Sequence, residues 1–137
     1  MESLSVSFLE RFRQYRGGTR QRRVFMRIME EKVVLCGASS YEQKYYFNQQ
    51  FSALPESIRQ ELQIMCVLYT EDVGGILTME FDREGNLEFR VEADEGDYLF
   101  DDIGSALKIK QYQLEKRELL ESLELFYRVF FLGEELA

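Results

Sequence analysis

ILTMEFDREGNLEFRVEA, residues 76–93, alternates apolar and polar side chains on both sides of DREG. A period of two over six or more residues is the signature of a half-buried strand. Asp82 at the start of the turn and Gly85 at its left-handed position are what a hairpin with a type I turn and a bulge requires. On the first strand Ile76, Thr78 and Glu80 face opposite to Leu77, Met79 and Phe81. On the return strand Leu87, Phe89 and Val91 share one side. One face of this hairpin is apolar and must be covered.

Upstream, KVVLCGA (residues 32–38) is a compact apolar, β-branched run ending near Gly37 and reads as a strand. EQKYYFN follows after the connector ASSY and folds back on it, with Tyr45 and Phe47 on one face and Tyr46 on the other. LPESIRQELQIMCVLYTEDVGG (residues 54–75) reads as a helix. Pro55 and Glu56 suit its first turn and Gly74-Gly75 closes it. Ile58, Leu62, Met65, Cys66 and Tyr69 form its buried stripe.

Downstream, Asp101 or Asp102 caps a long helix whose apolar residues run from Ile103 to Leu132, before Gly133. Ala106, Leu107 and Leu114 supply one part of its inner face. Leu119, Leu120, Leu123, Phe126, Tyr127 and Phe130 supply a broader second half, which packs on the sheet. The polar middle, KIKQYQLEKRE, projects into solvent or onto a partner, and Glu124 and Arg128 stand at the favourable i,i+4 spacing. The expected fold is α+β in the order ββαββα: an antiparallel sheet of two hairpins, a central helix, and one long C-terminal helix on the apolar face.

The chain of 137 residues is one domain's worth, 45% hydrophobic and 31% charged, so a packed core is expected rather than disorder. Its charge is unevenly placed. RFRQYRGGTRQRRVFMRIMEEK (residues 11–32) contributes to a segment, residues 1–28, with seven arginines, no lysine and two acids, a net +5; the remainder carries −13. Residues 1–28 therefore read as an extension on a single acidic α+β domain, residues 29–137. Three readings stand beside one another: a translated leader upstream of a true start at Met26 or Met29, a structural or electrostatic tail, and a nucleic-acid-binding arm. Within the extension, Ser5 caps a potential short helix bearing Phe8, Leu9, Phe12 and Tyr15 on one side, stopped by Gly17-Gly18. The body beyond residue 28 carries the strong strand and helix signals and is expected to fold without it.

VVLCGASSYEQKYYFN, ELQIMCVLYTEDVGGILTMEFDREGNLEF and YLFDDIGSALKIKQYQLEKRELLESLELFYRVFFLGEEL together resemble a family of short, uncharacterised bacterial hypothetical proteins, a domain of unknown function. The resemblance covers about Met29 to Leu136. It implies a start near Met29 and carries over no activity, cofactor or site residue.

The chain has no histidine, which removes the commonest general base and metal ligand. Cys36 and Cys66 are too few for a disulfide scaffold or a zinc site and read as buried thiols of a cytoplasmic protein. The acidic run EADEGDYLFDD (residues 92–102) lacks the spacing of a calcium loop and reads as a solvated connector plus helix cap. Glu71-Asp72 reads as a helix exit, and no phosphate-binding signature is present. No catalytic, cofactor-binding or metal-ligating residue is assigned. No apolar run is long enough to span a membrane. The aromatic surplus, eight tyrosines and eleven phenylalanines, favours a protein interface. The expected function is an acidic, non-enzymatic protein-binding or regulatory module, of adaptor or immunity type. It would recognise a basic protein surface, or itself, through Asp97, Tyr98, Asp101, Asp102, Tyr112, Glu115 and Glu118. The alternatives are nucleic-acid binding through the arginine-rich segment, and an enzyme working with carboxylates alone.

Overall fold

The computed structural model describes residues 32–135. The arginine-rich extension, with its potential helix after Ser5, lies outside the described residues.

Four strands, β1 (Val33–Ser39), β2 (Lys44–Phe47), β3 (Ile76–Phe81) and β4 (Leu87–Glu92), form one antiparallel sheet in the order β2-β1-β3-β4. A 3-10 turn (Gln49–Phe51) and the helix α1 (Glu56–Val73) connect the two hairpins. The helices α2 (Asp102–Glu115) and α3 (Arg117–Phe130) follow. The α+β class and the ββαββ order are as expected, and the C-terminal helical segment is divided into two helices.

The β3–β4 hairpin folds as its turn chemistry dictates. Asp82 Oδ1 accepts from the amides of Glu84 and Asn86, both at 2.9 Å, and Gly85 takes a φ of 89°. Glu80 stands across from Glu88, Thr78 from Arg90 and Met79 from Phe89. In β1 the register slips between Val34 and Cys36, so Leu35 is an extra residue and joins Cys36 on the same face. Asn48 binds the bulged backbone: its side-chain amide donates to the Val34 carbonyl (2.7 Å) and its main-chain amide to that of Leu35 (3.0 Å).

All three helices contribute to one core with one face of the sheet. Leu35, Cys36, Ala38, Leu77, Met79 and Phe81 meet Leu62, Met65, Cys66 and Tyr69 of α1, Tyr112 of α2, and Leu123 and Tyr127 of α3. Phe51, fully buried, joins the 3-10 turn to α3; its ring lies 4.6 Å from that of Phe131 and 5.6 Å from that of Phe81. Phe81 and Tyr127 stack at 4.2 Å.

The expected continuous helix breaks at Lys116, whose φ of −105° and ψ of 20° leave the helical region. No glycine or proline causes this. The two halves answer to different surfaces: α2 follows α1, whereas α3 follows the aromatic cluster and the hairpin. Lys116 reaches Glu61 of α1 at 3.0 Å from the break. Glu124 and Arg128 both turn to the hairpin. Glu124 accepts from the Leu87 amide at 2.8 Å, and Arg128 donates to the Asn86 side chain at 2.9 Å and, at 3.3 Å, to the Glu84 carbonyl.

The inner face of α2 also differs from expectation. Ser105 and Tyr112 are buried, while Ala106, Leu107 and Leu114 face solvent. Polar contacts decide this orientation. The Ser105 hydroxyl bonds that of Tyr69, the Tyr112 hydroxyl donates to the Met65 carbonyl at 2.9 Å, and Lys108 pairs with Asp72 at 2.9 Å. A side chain whose hydroxyl is bonded can be buried without the desolvation cost that would otherwise keep it outside.

Candidate functional site

The seven expected interface residues separate into three groups. The carboxylates of Asp97 and Asp101 accept hydrogen bonds from the chain itself. Tyr41 donates its hydroxyl to Asp97 and accepts from the Asp94 amide at 2.8 Å, tying the loop after β4 to the β1–β2 turn. That bond from Tyr41 holds the Asp97 carboxyl below its ordinary range. Asp101 is the cap of α2, accepting from the Gly104 amide at 2.8 Å. Tyr112 is only 6% exposed and packs near Phe89, so it leaves the surface set. Tyr98, Asp102, Glu115 and Glu118 remain on the surface.

What the expected set lacked is apolar. Leu99, Ile103, Leu107 and Leu114 are 93, 76, 64 and 72% exposed. From Ile103 onward they recur at helical spacing on the side of α2 opposite Ser105 and Tyr112, interrupted by Lys110. The signal is present in the sequence, but the apolar pattern places Leu107 and Leu114 on the inner face. Asp102 lies at one end of this stripe, and Glu115 and Glu118 at the other.

The chemistry-bearing groups are otherwise engaged or enclosed. The sulfurs of Cys36 and Cys66 lie 3.8 Å apart, and each is 3.7 Å from the Met79 sulfur. Both thiols are fully buried, and the bond with Cys36 together with burial pushes the Cys66 thiol up, away from the reactive thiolate. A groove of about 540 Å³ between the β1–β2 turn and α1 is lined by Ser40, Gln43, Lys44, Tyr45, Gln63 and Thr70, among others. The Thr70 hydroxyl there donates back to the carbonyl of Val67 at 3.0 Å. Among the described residues, no group of three histidine, cysteine or acidic side chains converges as a metal site. Nor is any described helix long and apolar enough to cross a membrane.

The described residues thus define a small α+β domain whose second helix shows an apolar stripe to solvent. The chain belongs to a family of unknown function, DUF6145, whose model matches residues 32–135. No curated protein and no solved structure matches it.

Proposed function

We propose that this domain is a non-enzymatic protein-binding module, and that the outer face of α2 with the loop before it receives a basic partner. The observation that carries this reading is the stripe Leu99, Ile103, Leu107 and Leu114, exposed to solvent and bounded by Asp102, Glu115 and Glu118. Apolar side chains of this size are ordinarily turned inward, and an outward set along one helix face with charged residues at its ends supports a docking surface. The rim and the −13 charge of residues 29–137 select the partner's chemistry: a segment with apolar anchors and lysine or arginine around them. An amphipathic basic helix laid along α2 satisfies both.

The test compares capture from native lysate by the wild-type chain and by the double variant Leu107→Asp, Leu114→Asp, which leaves the buried side of α2 untouched. The wild type should retain a basic protein that the variant loses at least about tenfold, with unchanged circular dichroism. Raising salt to about 0.3 M should weaken the wild-type complex, because screening then acts within the ~8 Å of physiological ionic strength. Equal capture by both proteins would refute the assignment.

A further inference from the structure

Three sulfurs meet between the sheet and α1. Cys36 comes from β1, Met79 from β3 and Cys66 from α1, and all three side chains are fully buried. The strand register sets Cys36 across from Met79, and Cys66 lies one turn after Leu62 on the inner side of α1. The two cysteine sulfurs are 3.8 Å apart and each is 3.7 Å from that of Met79, a nearly equilateral triangle. A point equidistant from its corners lies about 2.2 Å from each sulfur, close to the ~2.3 Å at which thiolates hold a filled-shell ion such as zinc. An ion of that bond length enters without moving the corners. A disulfide does not, since it needs the Cys36 and Cys66 sulfurs at about 2.0 Å.

Packing of three soft atoms would by itself produce these distances. The hydroxyl beside them is what packing leaves unexplained. Tyr45 of β2 brings its phenol oxygen into this region, with Cys36 and Cys66 as neighbours. That oxygen is buried and has no hydrogen-bond partner among the described residues. A buried donor without an acceptor is costly, and a thiol sulfur is a weak acceptor. A thiolate is a stronger one, because an ionised acceptor strengthens the bond. The Tyr45 hydroxyl is therefore satisfied when Cys36 is negatively charged, and a coordinated metal ion deprotonates a buried thiol outright.

We infer that Cys36, Cys66 and Met79 form a three-coordinate site for copper(I), with the Tyr45 hydroxyl donating to the Cys36 thiolate. Two thiolates and a thioether are soft ligands, which favour this ion. Zinc fits less well, because its structural sites take four ligands from cysteine, histidine and carboxylate. The chain has no histidine, and among the described residues no third group of those types converges with the cysteines. Binding transfers no electrons. The ion displaces the two thiol protons, which pass to solvent, and leaves a complex of one negative charge that the Tyr45 hydroxyl stabilises. Tyr45 also lines the groove beside α1, so the route inward from solvent passes its ring.

The test is an anaerobic titration of the reduced full-length chain with copper(I) against bicinchoninate, a dye that binds the same ion. The wild type should withdraw one ion per chain from the dye, and X-ray absorption should find three sulfurs at about 2.3 Å from the copper. Met79→Leu keeps the core filled with a side chain of similar volume and should lower the affinity at least about tenfold with unchanged circular dichroism. Tyr45→Phe removes only the hydroxyl and should also cost about tenfold. Four results would overturn the inference: no copper held by the wild type, only two sulfurs around it, unchanged affinity in Met79→Leu, or zinc(II) held as tightly as copper(I).

Discussion

Replacing Phe51 with alanine tests whether one side chain from a three-residue turn holds the C-terminal helix to the sheet. The ring is fully buried and meets four others: Phe131 at 4.6 Å, Phe81 at 5.6 Å, Tyr127 at 6.3 Å and Phe126 at 6.4 Å. Truncating a buried phenylalanine costs about 3–5 kcal/mol in lost transfer energy and residual cavity. Its aromatic contacts add about 0.5–1.5 kcal/mol beyond area for the closest pair. Because α3 can settle only partly into the space, the upper half of that range applies, and ~5 kcal/mol is expected. At about 0.05–0.15 kcal/mol per residue, a chain of this length has ~7–20 kcal/mol in all, so the loss is a quarter or more of the total. The control is Phe130→Ala. That ring also lies 4.6 Å from a neighbour, Phe126, but is 71% exposed, so its loss should cost under ~1 kcal/mol. Urea denaturation followed by circular dichroism, with the slope m checked for constancy, measures both. Equal losses for the two variants, or under ~2 kcal/mol for Phe51→Ala, would refute the claim that burial rather than ring proximity sets the energy.

Three further outcomes are expected. Burial pushes the Glu80 carboxyl above its ordinary range despite Arg90 and Lys32. Its proton is therefore bound more tightly in the folded chain, and this support for the fold is complete below the unfolded value and lost as pH rises through the folded one. Glu80→Gln should flatten the decline in stability over that window, and an unchanged pH profile in urea denaturation would contradict it. Gly85→Ala should cost at least ~1 kcal/mol by thermal unfolding, since φ is 89° there and an added Cβ would lie 2.7 Å from Arg128 Cγ. Cys36 and Cys66 should react with an aromatic disulfide reagent only as fast as the protein opens, so their rate should rise with urea; immediate reaction of either native thiol would show that the sulfur cluster is not enclosed.

How much was legible depends on how local the cause was. The β3–β4 hairpin could be read because alternation and the Asp82–Gly85 turn are contained in one short stretch. The α2 orientation could not: its inner side is set by hydroxyl partners 36 and 47 residues away, Tyr69 for Ser105 and Met65 for Tyr112. A window of the local pattern sees only that leucines are apolar, and so it assigned Leu107 and Leu114 inward and counted Tyr112 as surface. The sulfur cluster of Cys36, Cys66 and Met79 and the role of Phe51 are likewise products of chain crossing. The unbroken apolar run of β1 did carry a signal for burial on both faces. Which of its residues share a side becomes readable only once the register separates Val34 and Ser39 from Cys36 and Ala38.

The extra residue at Leu35 also determines where this chain tolerates a change of length. Within β1, loss of Gly37 or Ala38 moves every earlier residue one step along the ladder and turns Val33 and Val34 over to the wrong faces. Loss of Leu35 removes a residue that has no partner of its own in the β1–β3 ladder, so Val34 still meets Glu80 and Cys36 still meets Met79. The cost is then one buried leucine and one carbonyl that Asn48 now binds, and the strand is regular afterwards. A deletion scan of residues 33–39 should therefore show a single permissive position, and relatives with one residue fewer in this strand should have lost it there.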